Sequence, residues 1–113
     1  MVKPMCTISA NGLLLPALGQ GGWNIGDNPE NAQTEMAALR LGLDLGLRLI
    51  DTAEMYGDGR SEQLIGNALR GIKREKYLLV SKVYPHNADR RNIFASCDAS
   101  LKRLKTDYLD LYL

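Results

Sequence analysis

This chain of 113 residues is poor in the residues that most often betray a function at a glance. It has two cysteines, one histidine, one tryptophan and one phenylalanine, and aromatics make up only 6% of it. Cys6 and Cys97 stand far apart, with no Cys-x-x-Cys spacing and no second histidine to join His86. A disulfide framework and a zinc site are therefore both unexpected, and no metal ligands are assigned. Two reduced, partly buried thiols in a cytoplasmic protein are the expectation. No uninterrupted apolar run approaches the roughly 18 residues that a membrane helix needs. The N-terminal stretch Met1–Thr7 carries neither an apolar segment nor a small-residue cleavage pattern, so no leader is expected. Nor is there an excess of one charge. Lys plus Arg total 14 and Asp plus Glu total 13, for a net charge of +1. That balance gives no reason to expect nucleic acid or an anionic membrane as partner. The charge is unevenly spread, since residues 1–56 hold three basic and six acidic side chains and residues 57–113 hold eleven and seven. Solvated helix faces account for that.

What the chain does have is a repeat. Short apolar runs at 17–19, 48–51, 77–82 and 108–113 read as strands. Counted from Leu18, Arg48, Leu78 and Leu109, they recur at steps of 30, 30 and 31 residues. About 30 residues is the size of one strand-plus-helix unit. Helical periodicity fills the gaps. Met36, Leu39, Leu43 and Leu47 form one apolar face, which Leu41 and Leu45 are expected to widen, with Gly46 at a left-handed C-cap. The second helix starts from Ser61 as N-cap, carries Leu64, Ile65, Ala68 and Leu69, and ends near Gly71. The third starts near Asp89 and carries Ile93, Phe94, Cys97, Leu101 and Leu104. Its final turn is closed by Lys102, Arg103 and Lys105, whose charge suits a helix C-terminus. Ahead of the repeat, Asn11-Gly12 between two apolar triplets signals a hairpin.

Strand–helix alternation implies a parallel sheet with right-handed crossovers. An open doubly wound sheet and a closed eight-stranded barrel both use it. A barrel needs typically about 250 residues. Four strands and three helices are available, and the fourth strand reaches Leu113 with no helix to cover it. The expectation is an interrupted unit rather than a finished domain.

In such folds function gathers at the C-terminal ends of the strands. Asp51 and Lys82 occupy equivalent ends of the second and third strands. Tyr56 lies five residues past Asp51, on a loop that Gly57-Asp58-Gly59 can turn back over the sheet. A free phenol has a pKa near 10, and a lysine cation beside it favours the phenolate. An aspartate that holds the lysine keeps it charged and oriented. The trio is coherent as a general acid for a carbonyl oxygen. Spacing alone leaves open a structural ion pair beside a surface tyrosine.

Four segments carry a resemblance. Leu18-Gly19-Gln20-Gly21-Gly22-Trp23, Leu49-Ile50-Asp51-Thr52-Ala53-Glu54-Met55-Tyr56-Gly57, Leu79-Val80-Ser81-Lys82-Val83-Tyr84-Pro85 and Leu104 through Leu113 are similar, in order and spacing, to the aldo-keto reductases. The wording resembles bacterial members, including those that reduce methylglyoxal-type aldehydes. The resemblance implies an α/β fold: the N-terminal half of a (β/α)8 TIM barrel with a leading β-hairpin, truncated at the end of its fourth parallel strand. Residues 1–113 would form one partial domain of this kind. The implied activity is NADPH-dependent reduction of aldehydes or ketones, without metal. Tyr56 would be the proton donor, Lys82 its partner, and Asp51 the residue that pairs with Lys82. Gly22, Trp23 and Asp51 would meet the cofactor, and Trp23, Tyr84 and His86 would line the carbonyl pocket. Gly22 departs from a pattern in which many relatives carry threonine. The family's catalytic histidine falls two positions beyond the final Asp-Leu-Tyr-Leu, and most of the NADPH site belongs to later strands. The 113 residues alone are therefore expected to be inactive or nearly so. A non-catalytic half-barrel that pairs through open sheet edges is the competing expectation. A small phosphoacceptor domain is disfavoured, because Gln20-Gly21-Gly22-Trp23 offers no carboxylate where a divalent cation would bind.

Overall fold

The computed structural model describes residues 6–113, so residues 1–5 of the stretch read as leader-free lie outside the described residues. Strands β1 (Thr7–Ala10) and β2 (Leu13–Pro16) pair antiparallel as the leading hairpin. Asn11 and Gly12 take φ of 50° and 81°, the positive values that a two-residue type I′ turn demands. There follow β3 (Gly19–Gly21), α1 (Ala32–Asp44), β4 (Leu49–Asp51), α2 (Arg60–Ala68), β5 (Leu78–Ser81), α3 (Ile93–Leu104) and β6 (Leu111–Tyr112). The last four strands form one parallel sheet in the order β3-β4-β5-β6. The helices pack on one another in the same order, α1 on α2 and α2 on α3. Strictly sequential strands with all helices on one face make an arc of a closed barrel. A doubly wound sheet would reverse its order and carry helices on both faces.

All four strands begin later than the apolar runs, and the last three are also shorter than them, with the largest shifts in the first and last. β3 starts at Gly19 rather than Ala17, and β6 at Leu111 rather than Tyr108. Tyr108 and Asp110 instead belong to a tether. The Arg74 guanidinium donates to the Tyr108 carbonyl at 3.0 Å and to Asp110 at 2.7 Å, and lies over the Tyr108 ring. Pairing sets Gly19 against Leu49, Leu49 against Leu78, and Val80 against Leu111. The repeat measured in register is therefore 30, 29 and 31 residues.

Alternation along each strand sends Ile50 and Leu79 into the layer under the helices. There they join Leu39 of α1, Leu64, Ile65 and Ala68 of α2, and Leu104 of α3. Helix α1 ends as expected: Gly46 takes φ 93°, and the Leu47 amide bonds back to the Gly42 carbonyl at 2.8 Å. Leu41 and Leu45 do not widen its buried face, being 57% and 55% exposed. Each stands two residues beyond a leucine that meets the core, Leu39 or the partly buried Leu43, about 200° around the helix and thus on its far side. Phe94 of α3 is likewise exposed, and Cys6 is exposed rather than partly buried. Helix α3 begins at Ile93, not Asp89. The Asp89 carboxylate takes the Asn92 and Arg91 amides at 2.8 and 2.9 Å and makes a turn before the helix. Those bonds, the Asn92 amide first, hold its carboxyl below the usual carboxylate range.

Between the layers sits a charge. Glu62 of α2 is fully buried; it accepts from the Ser81 hydroxyl of β5 and from Arg103 Nε of α3, each at 2.6 Å. Removing one partner of a buried ion pair leaves the other unpaired. Arg103 keeps some solvent contact, so Glu62→Ala is expected to cost about 3 kcal/mol, read as a lowered urea midpoint at unchanged m-value.

Candidate active site

The same alternation that buries Ile50 and Leu79 turns Asp51 and Val80 to the other face of the sheet. They are cross-strand neighbours, and Lys82 lies two residues past Val80, on Val80's face. Asp51 and Lys82 thus meet at the C-terminal edge. Lys82 Nζ donates to Asp51 Oδ1 at 2.7 Å, to the Thr52 carbonyl at 3.0 Å and to the Tyr56 hydroxyl oxygen at 3.3 Å. Three acceptors use all three ammonium donors. Because Tyr56 accepts from Lys82, its own proton is free to be given elsewhere. Burial works against the Lys82 charge, but the hydrogen bonds to Asp51 and Tyr56 and their Coulombic pull outweigh it. They hold Lys82 above the ordinary lysine value.

Tyr56 reaches this position because the chain reverses just after it. Gly57, Asp58 and Gly59 take φ of 60°, 52° and 94° in succession, and α2 starts immediately afterwards. Only the middle residue carries a side chain in that conformation, and aspartate tolerates it better than most.

Ser61 is not the N-cap of α2; Gly59 precedes the helix and Ser61 lies inside its first turn. Fully buried, its hydroxyl donates to the Gly22 carbonyl at 2.7 Å and meets the Thr52 hydroxyl at 2.9 Å. The Gly22 amide donates to the Asp51 carbonyl at 2.7 Å. A Cβ on Gly22 would stand 2.7 Å from that carbonyl and 2.8 Å from the Ser61 hydroxyl. There is no room for a threonine here while Ser61 and β4 hold their places, which explains the departure at this position.

Trp23 leaves the same end of the sheet with 72% of its surface exposed. Tyr84 and His86 pair with each other, ring centroids 4.7 Å apart. The Tyr84 phenol is raised by partial desolvation and by the carboxylates of Asp58 and Glu54, so it stays neutral. The structure therefore brings Asp51, Tyr56 and Lys82 into direct contact, binds Gly22 to Asp51, and leaves Trp23 and the Tyr84–His86 pair as flanking aromatics.

For Ser61, Thr52, Glu54 and Asn87 the sequence predicts no part in the site. Their partners are 9 to 39 residues away, and no spacing announces them. A groove of about 860 Å³ between the ends of α2 and α3 is lined by Arg74, Tyr77 and Thr106 among others. These residues precede β5 and β6, so it lies at the opposite end of the sheet from Lys82.

A family model described as aldo/keto reductase family matches residues 17–113. Among curated proteins the chain is similar to methylglyoxal reductase YeaE of Escherichia coli, 60% identical over 99 residues, covering 88% of this chain and 34% of that protein. It is 36% identical to the aldo-keto reductase YhdN of Bacillus subtilis, over 94% of this chain and 36% of the relative. Among solved structures, an aldo-keto reductase from Klebsiella pneumoniae in complex with NADPH superposes with a TM-score of 0.84 at 50% identity. That superposition covers 88% of this chain and 34% of the Klebsiella one. The thermostable aldo-keto reductase Tm1743 gives 0.90 at 38% identity, over 96% of this chain and 42% of its own. The chain thus spans about a third of the length of the curated relatives it matches.

The Lys82 bonds have a pH signature. A lysine held above its ordinary value stabilises the fold fully below the unfolded value of about 10.4, and that contribution fades as pH rises through the folded value. Lys82→Met is expected to lower stability at neutral pH by a modest amount, Asp51 being part-exposed. The gap between wild type and variant should close on titration to strongly alkaline pH. A gap that stays constant would show that the ammonium charge is not what matters.

Proposed function

Because the chain belongs to the aldo/keto reductase family, we propose that these residues supply the proton-donating half of a reductase for aldehydes and ketones. The observation that carries the reading is the contact of Lys82 Nζ with both Asp51 Oδ1 and the Tyr56 hydroxyl, at 2.7 and 3.3 Å. A carbonyl oxygen placed against Tyr56 takes its proton, while the carbonyl carbon receives a hydride, and the product is an alcohol. Lys82 stabilises the phenolate left behind, and Asp51 keeps Lys82 charged and aimed. The family relatives that reduce methylglyoxal make small reactive aldehydes the favoured substrate class.

The hydride would come from NADPH, the cofactor of the Klebsiella complex. The residues here fit its reactive end. Gly22 presents bare backbone beside Asp51, Asp51 is 41% exposed beyond its bond to Lys82, and Trp23 offers a flat exposed ring. We assign Gly22, Trp23 and Asp51 to that contact, and Trp23, Tyr84 and His86 to an aromatic wall that excludes water from the carbonyl. Cys97, whose thiol is pushed up by burial and by nearby Asp98 and Glu62, is an inert thiol suited to the reducing cytoplasm.

Two experiments test this. When residues 17–113 replace the matching segment of the Escherichia coli reductase, the graft should reduce methylglyoxal with NADPH. Tyr56→Phe in that graft should lower kcat by about 10²–10⁴-fold, the worth of a positioned proton donor; an active Tyr56→Phe graft would overturn the reading. The 113-residue chain by itself should show little or no turnover, because the histidine and cofactor contacts that the family places on later segments are absent from it. Its β6 edge, with Leu111 and Leu113 46% and 60% exposed, favours a second reading in which the chain self-associates. Sedimentation velocity separates the two: a monomer across the concentration range would sink self-association.

A further inference from the structure

Glu54 lies in sequence between two members of the trio, Asp51 and Tyr56, and its side chain takes no part in their contacts. It is nevertheless buried, at 6% exposure, and among the described residues its carboxylate has no ion-pair partner. A carboxylate withdrawn from water without a cation must be met by hydrogen-bond donors. Here two donors converge on one oxygen. Oε1 accepts the Tyr84 amide at 2.6 Å and Asn87 Nδ2 at 3.2 Å. These residues flank Pro85 and His86, so a single atom clips both ends of the one-turn helix Pro85–Asn87. The backbone of Glu54 is fixed as well, its amide donating to the Lys82 carbonyl at 3.1 Å. Asp58 steadies the far side, taking the Tyr84 hydroxyl at 3.4 Å.

We propose that Glu54 is a positioning residue for substrate selection: its carboxylate sets where the Tyr84–His86 aromatic pair stands relative to Tyr56 and Lys82. The proposal rests on the reductase reading, in which that pair lines the carbonyl pocket. Glu54 touches neither the proton donor nor the residues assigned to the cofactor. Its removal should therefore loosen the fit of the carbonyl substrate and leave proton donation and cofactor affinity in place. Glutamine retains an acceptor at Oε1 and should largely substitute.

The graft described above provides the test. Loss of a hydrogen bond to a charged acceptor is worth roughly a tenfold change or more. Glu54→Ala should raise the KM for methylglyoxal about 10-fold, change kcat by less than about 3-fold, and leave NADPH affinity unchanged, with Glu54→Gln returning KM to within about 3-fold of the parent. Hydrogen exchange at the Tyr84 amide should accelerate at least about tenfold in Glu54→Ala and not in Glu54→Gln. An unchanged KM, or equal losses in kcat and KM that glutamine does not rescue, would overturn the proposal. If Glu54→Ala fails to fold, Asn87→Ala removes one arm of the clip and should still raise KM about 3-fold; no rise refutes the clip. Activity surviving Tyr56→Phe would strike the reductase reading, while the Tyr84 exchange rate would still judge the clip. Full loss in Tyr56→Phe with an indifferent Glu54→Ala would strike the clip alone.

Discussion

A carboxylate sealed from water decides how the two layers of this molecule meet. Burying the Glu62 carboxyl group costs it its water, and that cost is offset where Arg103 and Ser81 both reach it. The geometry that satisfies it leaves little freedom. Helix α2 must lie where its first turn faces the end of β5, and α3 must pass close enough for Arg103 to extend across Gly59. Ser81 is the neighbour of Lys82, and Ser61 the neighbour of Glu62. Fixing one buried group therefore fixes the starting point of Lys82 and of the serine that holds the Gly22 loop.

The segment from Asp51 to Glu62 does most of the organising. Asp51 holds Lys82, Ser61 with Thr52 ties down Gly22, Glu54 and Asp58 hold Tyr84, and Glu62 holds β5 and α3. One loop and one helical turn thus reach the segments that follow β3 and β5. Such concentration has a physical basis. At the C-terminal edge the ladder runs out after a few backbone bonds, such as those from the Gly22 amide to Asp51 and from the Glu54 amide to Lys82, so the loops beyond it depend on side-chain bonds. A segment that leaves the sheet and re-enters as a helix passes close to both neighbouring loops.

Much of this was legible beforehand, and the reasons for the exceptions are specific. A period of about 30 residues, helical spacing in Met36, Leu39 and Leu43, and Asn11-Gly12 are local signals, and all found their counterparts. Asp51 and Lys82 could be paired because parallel strands in sequence put equivalent ends together. Leu41 and Leu45 depart from the expected face because leucine is an excellent helix former wherever it points, and a helix on a partly covered layer tolerates apolar residues on its outer side. Ser61 looked like a cap since serine before an apolar run usually is one. Here a glycine run turned the chain first, and the serine passed into the interior. Gln20 shows what sequence cannot announce: its amide crosses to α1 and bonds the Leu39 and Leu47 carbonyls, in space left by the missing side chain of Gly42. Only two segments already folded together define that slot.

The exposure of Trp23 has an optical consequence. It is the single tryptophan of the chain, and it stands at the rim of the cluster rather than in the core. In most proteins indole emission averages over packed interiors and reports chiefly on unfolding. In this chain the emission comes from one water-facing ring next to Gly22, so its colour and intensity respond to whatever settles on the C-terminal edge of the sheet. Occupancy of the mouth and integrity of the core can then be followed as separate signals, the first by light and the second by circular dichroism.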